Sequence, residues 1–224
     1  MKLYHGSDHI IKKPQYGVGN PHNDYGIGFS CTQNLELAKE WACPEARTGF
    51  ANSYDLDVTD LRILDLQSAD FHILNWIALL LKNRIFVKKS PVSRMAEKYI
   101  LDNFLPETES YDLIIGYRAD DSYFSYAKDF LQNGISVRRL AQVMKLGDLG
   151  NQIVLVSKKA FSQIKFMGYE EADKNIYNPL KKQRDELARI SYLSNRKGFE
   201  LNPNDILMID IMRGDVKPND PRLQ

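Results

Sequence analysis

The chain has 224 residues, of which 43% are hydrophobic, and its 30 lysines and arginines nearly balance its 29 aspartates and glutamates. This length and apolar content suffice for one domain with a full core, with or without an appendage. A formal net charge of +1 leaves no global field that would draw the chain to nucleic acid or to a membrane. Cys31 and Cys43 form no Cys-x-x-Cys pair, and no Cys/His spacing indicates zinc.

The N-terminus starts directly on a strand pattern, without the basic head and apolar run of a signal peptide. We therefore expect a cytoplasmic protein with reduced cysteines, although a disulfide between the two stays open. The longest apolar stretch, residues 76–81 with their flanks, is too short to span a bilayer and has a helical pattern. We expect no membrane partner.

Strands and helices alternate irregularly over the first part of the chain, and helices alone follow. This order predicts an α+β domain over residues 1–168 and a C-terminal helical extension over residues 169–224 that packs on it. The predicted strands cover residues 2–7, a short run after Gly28, and residues 50–58, 62–66, 111–117, 152–156 and 165–169, with 62–66 as a possible partner of 50–58. The predicted helices follow residues 32–34 and cover 70–86, 91–104, 121–131, 137–144, 158–164, 174–195 and 203–213.

Capping residues support three of these helix starts. Ser90 and Asn202 each precede a proline, which is favoured at the first helical position. Ser136 is a cap for the helix that ends near Met144. Gly214 predicts the end of the last helix.

Residues 24–41 contain the motif around which the chain is organised. Gly26 and Gly28 lead into a short apolar strand, and a capping cluster and a helix follow. Because glycine leaves the backbone uncovered, a flat ligand can lie close to it. The alternative is a plain glycine bend before a strand.

Two further motifs accompany it: Leu3-Tyr4-His5-Gly6-Ser7 upstream and Gly150-Asn151-Gln152 at the start of an apolar strand downstream. In this order the three motifs resemble the three-part site of the ADP-ribosyltransferases of the diphtheria-toxin and poly-ADP-ribose polymerase type. They look closer still to a bacterial family of unknown function grouped with these enzymes. Residues 116–121 and 210–214 echo that family's pattern.

This resemblance implies an ADP-ribosyltransferase-like fold of split mixed sheets with surrounding helices. It implies transfer of a single ADP-ribose from NAD to a macromolecular acceptor, with release of nicotinamide and without a metal. The acceptor would be a protein or a nucleic acid, with small molecules also open, and the role, that of a toxin or effector or a housekeeping one, stays open.

The resemblance also assigns residues to the dinucleotide. His5 would contact the hydroxyls of the adenosine ribose, although a histidine satisfied within a sheet is the alternative. Gly6 would present its backbone to the nicotinamide carboxamide, unless it only bends the strand. Ser7 and Gly28 would complete the binding surface.

Where related enzymes stack an aromatic ring on nicotinamide, this chain has Ser30, with Phe29 one residue earlier. Alternation along a strand puts these two side chains on opposite faces. Ser30 therefore lines the site and stacking comes from elsewhere, such as Tyr25, or a bulge turns Phe29 inward.

Gln152 stands where many relatives have a catalytic glutamate. Its amide can hold the 2′-hydroxyl of the nicotinamide ribose, but it cannot act as a general base. The alternative is a glutamine at the edge of a strand.

Asp120 and Asp121, next to Arg118, follow an apolar strand. One aspartate would deprotonate the acceptor, and Arg118 would meet a pyrophosphate oxygen. A helix cap with a neighbouring ion pair explains the same residues without catalysis.

Three other functions remain open on this fold. The ribose could pass to water, as in an NAD glycohydrolase, or the enzyme could act on an RNA 2′-phosphate, for which additional arginines are needed. A module that binds NAD or ADP-ribose without turnover fits the departures at Ser30 and Gln152. The basic residues of the 174–195 helix indicate a solvated face more than a phosphate-binding surface.

Overall fold

The computed structural model describes residues 1–43, 47–85, 90–118, 121–144, 150–197 and 202–223. Within these ranges the chain forms two β-sheets and eight α-helices, so the predicted mixed α+β class is confirmed. The strands are β1 (Lys2–Ser7), β2 (Phe29–Cys31), β3 (Gly49–Leu56), β4 (Ile63–Asp65), β5 (Leu113–Tyr117), β6 (Asn151–Leu155) and β7 (Ile164–Ala172). The helices are α1 (Leu35–Ala42), α2 (Ile73–Asn83), α3 (Pro91–Phe104), α4 (Asp121–Leu131), α5 (Val137–Met144), α6 (Lys158–Gln163), α7 (Lys174–Lys197) and α8 (Met208–Met212), and a short 3₁₀ turn covers Pro221–Leu223.

The two sheets meet at the strands that carry the sequence motifs. The first sheet is antiparallel with the order β1-β3-β7, and the second has the order β2-β6-β5-β4, in which β4 alone runs parallel to its neighbour. A bridge between Tyr4 and Thr32 joins them through two backbone hydrogen bonds of 2.7 and 2.9 Å. This bridge holds β1 beside β2 and thereby brings β1 near β6.

The strand at residues 63–65 has a different partner from the expected one. β4 pairs with β5, in the register Leu64 to Ile114, and not with β3. Parallel neighbours need a long crossover, and α2 and α3 provide it between β4 and β5.

The predicted boundary at residue 168 falls inside a strand. β7 continues to Ala172, which pairs with Gly49 of β3. Beyond β7, Met208, Ile211 and Leu223 are buried in the same core cluster as the helices α2 to α5. The last part of the chain therefore contributes to the main hydrophobic core and does not only cover it.

The last helix begins later than predicted. Asn202 does not cap a helix at residue 203; its backbone N–H donates to the carboxylate of Asp205 (3.0 Å) and a turn follows. The helix starts at Met208, where the N–H of Leu207 is bonded to Asp210 three residues later (2.8 Å). This is one half of a capping box, because the leucine side chain has no atom that could accept a hydrogen bond in return.

Helix α1 fixes the position of β1. The side chain of Asn34 caps it, accepting hydrogen bonds from the backbone N–H groups of Glu36 (3.0 Å) and Leu37 (3.2 Å). A Cβ on Gly6 would collide with the carbonyl oxygen of Ala38, so glycine is needed for the strand to pack against the helix.

Both cysteines are free thiols and buried, and they form no disulfide. Burial raises the pKa of the Cys31 thiol. No helix in the described part of the chain has the length and apolarity needed to cross a membrane.

Candidate functional site

A cleft of about 250 Å³ opens where the two sheets meet. Five of the residues predicted for the dinucleotide site border it, although they lie up to 147 positions apart in the sequence. Nine residues line the cleft: His5, Gly6, Asn23, Asp24, Ser30, Trp41, Arg84, Arg118 and Gln152. One strand of the first sheet, two strands of the second, the end of α1 and three connecting segments thus form its walls.

Gln152 lies in β6 and is more buried than the other predicted site residues whose burial the structure describes. It is 6% exposed and pairs across the sheet with Gly116. Its Oε1 atom is buried and has no hydrogen-bond partner among the described residues. An unpartnered buried acceptor costs about 1–3 kcal/mol, so this glutamine is poorly satisfied by the fold itself.

His5 is held in one tautomer by the neighbouring strand. Its Nδ1 lies 2.6 Å from the carbonyl oxygen of Ser30. Because a carbonyl can only accept, Nδ1 carries the proton and donates it, which leaves Nε2 as an acceptor. Burial lowers the pKa of His5 below its ordinary value, with the positive charge of Arg118 as a smaller cause, so the ring is neutral at neutral pH.

The structure decides between the two residues at the start of β2. The pairing of β2 with β6 is regular, with Phe29 opposite Leu155 and Ser30 opposite Val154, and no bulge turns Phe29 toward the cleft. Ser30 lines the cleft, as strand alternation predicts.

The Phe29 ring supports the cleft from behind. It stacks on the His5 ring at a centroid distance of 4.3 Å and packs edge-on against Tyr54. It also lines a second hollow of about 370 Å³ under residues 9–18. Phe29 therefore positions His5 and does not itself border the cleft.

Tyr25 does not supply the missing aromatic surface. Its hydroxyl donates to the carbonyl oxygen of Tyr117 (2.6 Å) and accepts from Nε1 of Trp76 (2.9 Å), so it is used inside the core. The aromatic ring in the cleft wall belongs to Trp41 at the end of α1. In the sequence, Trp41 falls on the same helical face as Leu37, Ala38 and Ala42, which does not distinguish it from a core residue.

Arg118 lies over that ring. Its guanidinium carbon is 3.1 Å from the centroid of Trp41, a cation–π contact. This contact holds the charged group of Arg118 at the cleft wall.

A second arginine, Arg84, and the carboxylate of Asp24 also border the cleft. Arg84 follows α2, and its Nε and one terminal nitrogen each lie 2.7 Å from Oδ1 of Asp24, which is 5% exposed. Asn83 also donates to the backbone carbonyl of Asp24 (3.1 Å). Asp24 opens the glycine motif, but neither its charge nor Arg84 was predicted to belong to the site.

Besides Phe29, two predicted contact residues, Ser7 and Gly28, lie outside the cleft. The Oγ of Ser7 is 3.1 Å from Nδ1 of His9 on an exposed turn. Gly28 does not line the cleft, and a Cβ there would meet Val154 at 2.5 Å, so its lack of a side chain serves the packing of β2 on β6. Of the predicted aspartate pair, Asp120 lies outside the described residues, and of Asp121 only its place at the start of α4 is described.

Anions suit the cleft better than cations do. Two arginines border it against one carboxylate, and the described residues contain no group of three or more His, Cys, Asp or Glu side chains that could hold a metal ion. The cleft can thus bind a polar ligand through arginine, imidazole, hydroxyl and amide groups.

A protein family described as "Protein of unknown function (DUF3990)" matches residues 1–166 of the 224-residue chain. No curated protein matches the chain. No solved structure matches it. All nine residues that line the cleft lie within the matched region.

Proposed function

This chain belongs to the DUF3990 family, and we propose that it is a mono-ADP-ribosyltransferase that binds NAD in the cleft between its two sheets. The observation that carries this proposal is the meeting of His5, Ser30 and Gln152, from three strands far apart in sequence, around one hollow. These residues stand at the three positions that form the NAD site in the enzymes the motifs resemble, although Ser30 and Gln152 differ from the residues those enzymes have there.

In the proposed reaction the bond between nicotinamide and C1′ of the ribose breaks, and its electron pair leaves with nicotinamide. The sugar becomes an oxocarbenium-like cation, and a lone pair of the acceptor attacks C1′ while the acceptor loses a proton. Such a transition state needs groups that position both rings and shield the cation from water. The cleft is below the roughly 300–1,000 Å³ of drug-sized sites, so it would take one end of the dinucleotide.

Each cleft residue has a physical reason for its proposed role. Gln152 would bond the ribose hydroxyls through its side-chain amide at the cleft wall. The neutral His5 would accept from a hydroxyl through Nε2. Trp41, with Arg118 across its face, would border the nicotinamide ring in place of the absent aromatic residue at Ser30.

The phosphates and the acceptor complete the proposal. Arg118, which lies over the Trp41 ring, would donate to a pyrophosphate oxygen. Gln152 cannot take a proton, so Asp120 or Asp121 would deprotonate the acceptor, and this assignment depends on the sequence. With glutamine in place of glutamate, we expect addition of one ADP-ribose unit and no chain.

The test is incubation of the protein with labelled NAD in cell lysate. We expect label on a macromolecule and release of nicotinamide, and strong loss of both in Gln152→Met. Gln163→Met is the matched control, because Gln163 also has a buried unpartnered Oε1 but lies outside the cleft. Free ADP-ribose as the main product would instead indicate a glycohydrolase, and saturable NAD binding without nicotinamide release would indicate a binding module.

The second arginine favours one other reaction on the same site. Removal of a 2′-phosphate from RNA, with NAD as the phosphate acceptor, needs several arginines, and Arg84 joins Arg118 in the cleft. Asp24 offsets the charge of Arg84, which places this candidate second. Loss of phosphate from a 2′-phosphorylated oligoribonucleotide in the presence of NAD would reverse that order.

A further inference from the structure

The second hollow, which Phe29 borders together with the segment 9–18, is large enough for a ligand of its own. Its volume is about 370 Å³, which exceeds that of the cleft and lies within the roughly 300–1,000 Å³ of small-molecule sites. Ile11, Val18 and Phe29 give it apolar walls. The nine described residues that line it also include Lys12 and Lys13 and no carboxylate. The hollow therefore combines apolar surface with positive charge.

Buried polar groups of β3 hold one wall of the hollow in place. Asn52 is 0% exposed; its Oδ1 accepts from the backbone N–H of Ile11 (2.9 Å), and its Nδ2 donates to the carbonyl oxygen of His9 (3.2 Å). The Tyr54 hydroxyl donates to the carbonyl oxygen of Ile11 (2.6 Å). These three hydrogen bonds tie residues 9–11 to the first sheet, so this wall is formed before any ligand binds.

Three lysines give this surface its charge. Lys12 and Lys13 are exposed, and so is Lys158, whose Nζ lies 5.8 Å from the centroid of the Tyr16 ring. None of the three forms an ion pair with a described residue. Asp8, on the preceding turn, offsets at most one of these charges. The whole chain carries only +1, so the attraction for anions is local to this surface.

Aromatic rings continue from the hollow to the solvent. Tyr16 is 50% exposed and packs edge-on against Phe161, with 5.7 Å between the ring centroids. Phe161 in turn lies 6.2 Å from Phe29. Lysines next to accessible aromatic rings are the features with which proteins bind single-stranded nucleic acid, because bases stack on the rings and lysines bind the phosphates. An acidic peptide would use the lysines and leave the rings unused.

We propose that the second hollow and the three lysines beside it bind a single-stranded nucleic acid. One base lies in the hollow against Phe29, a neighbouring base stacks on Tyr16, and the lysines bind phosphates. Phe29 also stacks on His5 of the cleft at 4.3 Å, so the strand lies beside the proposed NAD site. The binding does not depend on the function of the cleft.

That the bound strand is also the acceptor rests on the proposed function. In that case a nitrogen or oxygen lone pair of the strand forms the bond to C1′ of the ribose. The strand loses the proton from that atom, and nicotinamide leaves with the electron pair of the bond that breaks.

The test is fluorescence anisotropy of labelled oligonucleotides of about 12 nucleotides with the full chain in the absence of NAD. Deoxythymidylate and uridylate oligomers distinguish DNA from RNA, and a duplex of the same length, whose bases are paired, should bind more weakly. Three lysine–phosphate contacts predict a slope of about −2 for the logarithm of the association constant against the logarithm of salt concentration. The dissociation constant should therefore rise about tenfold between 50 and 150 mM salt.

Two variants separate the charge from the stacking. Lys12→Gln combined with Lys13→Gln should weaken binding and reduce the slope to about −0.7, because one of three contacts is left. Lys217→Gln is the control, since Lys217 is exposed and its neighbour Pro218 contacts His72 at the start of α2. Tyr16→Leu should raise the dissociation constant roughly five- to hundredfold and leave the slope unchanged. Unchanged thermal unfolding of the variants would show that they fold.

Three results would overturn the proposal. One is a natural chain that binds neither oligomer at 50 mM salt. Another is equally tight binding of the duplex or of polyglutamate, which would mean that charge alone is recognised. The third is a lysine variant that loses affinity for NAD but keeps its affinity for the oligonucleotide, which would place the other end of the dinucleotide in the hollow.

Labelled NAD then tests the role of the bound strand as acceptor. We expect label on the oligonucleotide, and less of it in the lysine double variant. Nicotinamide release without label on a bound oligonucleotide would overturn the acceptor role alone. Binding without nicotinamide release would count against the proposed function and would leave the binding surface confirmed.

Discussion

The Gln152 side chain should destabilise the fold and strengthen NAD binding, and replacing it with methionine separates these two effects. The side chain is 6% exposed, and its Oε1 has no partner among the described residues. Methionine has a similar length and no polar atom that needs a hydrogen bond. Removing an unpartnered acceptor recovers part of a cost of about 1–3 kcal/mol.

We therefore expect Gln152→Met to raise the free energy of unfolding by about 1 kcal/mol, near the low end of that range because the residue borders a cleft. For a chain of this size that corresponds to an increase of about 2–4 °C in Tm. If NAD binds as proposed, the same substitution removes one hydrogen bond to the ligand, and the affinity should fall roughly two- to tenfold.

Calorimetric unfolding and isothermal titration with NAD measure the two quantities on the same samples. Gln163→Met is the control for binding, and should leave NAD affinity unchanged. A lower Tm in Gln152→Met would mean that Oε1 is well bonded in solution, which refutes the stability argument. An unchanged NAD affinity would remove Gln152 from the proposed ligand contacts.

Three further changes test other contacts. Gly6→Ala should lower the free energy of unfolding by roughly 1–3 kcal/mol or more, because the added Cβ would meet the backbone of α1. Gly19→Ala is the control: the nearest atom to its Cβ would lie at 3.4 Å, so the free energy of unfolding in urea should change little. Arg184→Ala leaves a buried carboxylate unpaired and should lower the free energy of unfolding by about 1–3 kcal/mol, against less than about 0.5 kcal/mol for Lys98→Ala in an exposed pair. Burial lowers the pKa of His5 below its ordinary value of 6.5, so the unfolded chain takes up a proton on this histidine before the folded chain does as the pH falls. The free energy of unfolding should therefore decrease below about pH 6.5. In His5→Gln this part of the decrease should be absent when unfolding is followed in urea between about pH 7.5 and 5.

Local sequence signals predicted the elements well where a cap or a periodic pattern decided the outcome. Ser90 and Ser136 cap α3 and α5, and their hydroxyls accept from the backbone N–H groups of Ser93 (3.1 Å) and Arg139 (3.2 Å). The start of α8 was missed because Asp205 captures the N–H of Asn202 and also pairs with Arg138, 67 residues away. A local cap was thus overridden by a long-range ion pair.

The sequence predicted the cleft residues that lie in strands but not those that lie at the ends of helices. Strand motifs at His5, Ser30 and Gln152 carry a recognisable order, and sheet pairing brings them together. Trp41 and Arg84 have no such signature. Trp41 fits the apolar side of α1 as well as any core residue, and Arg84 enters the site through a contact with a residue 60 positions earlier.

Helix α1 connects the cleft with helix α7. Trp41 borders the cleft while its neighbour Glu40 bonds Arg184 of α7, so both depend on one helix of eight residues. That helix is fixed independently of α7, by the Asn34 cap and by the close approach of Gly6 to its backbone. Loss of the Arg184–Glu40 ion pair in Arg184→Ala should therefore leave Trp41 in place and NAD affinity within about twofold, although stability falls. A larger loss of affinity would mean that α7 itself determines where α1 stands against the cleft.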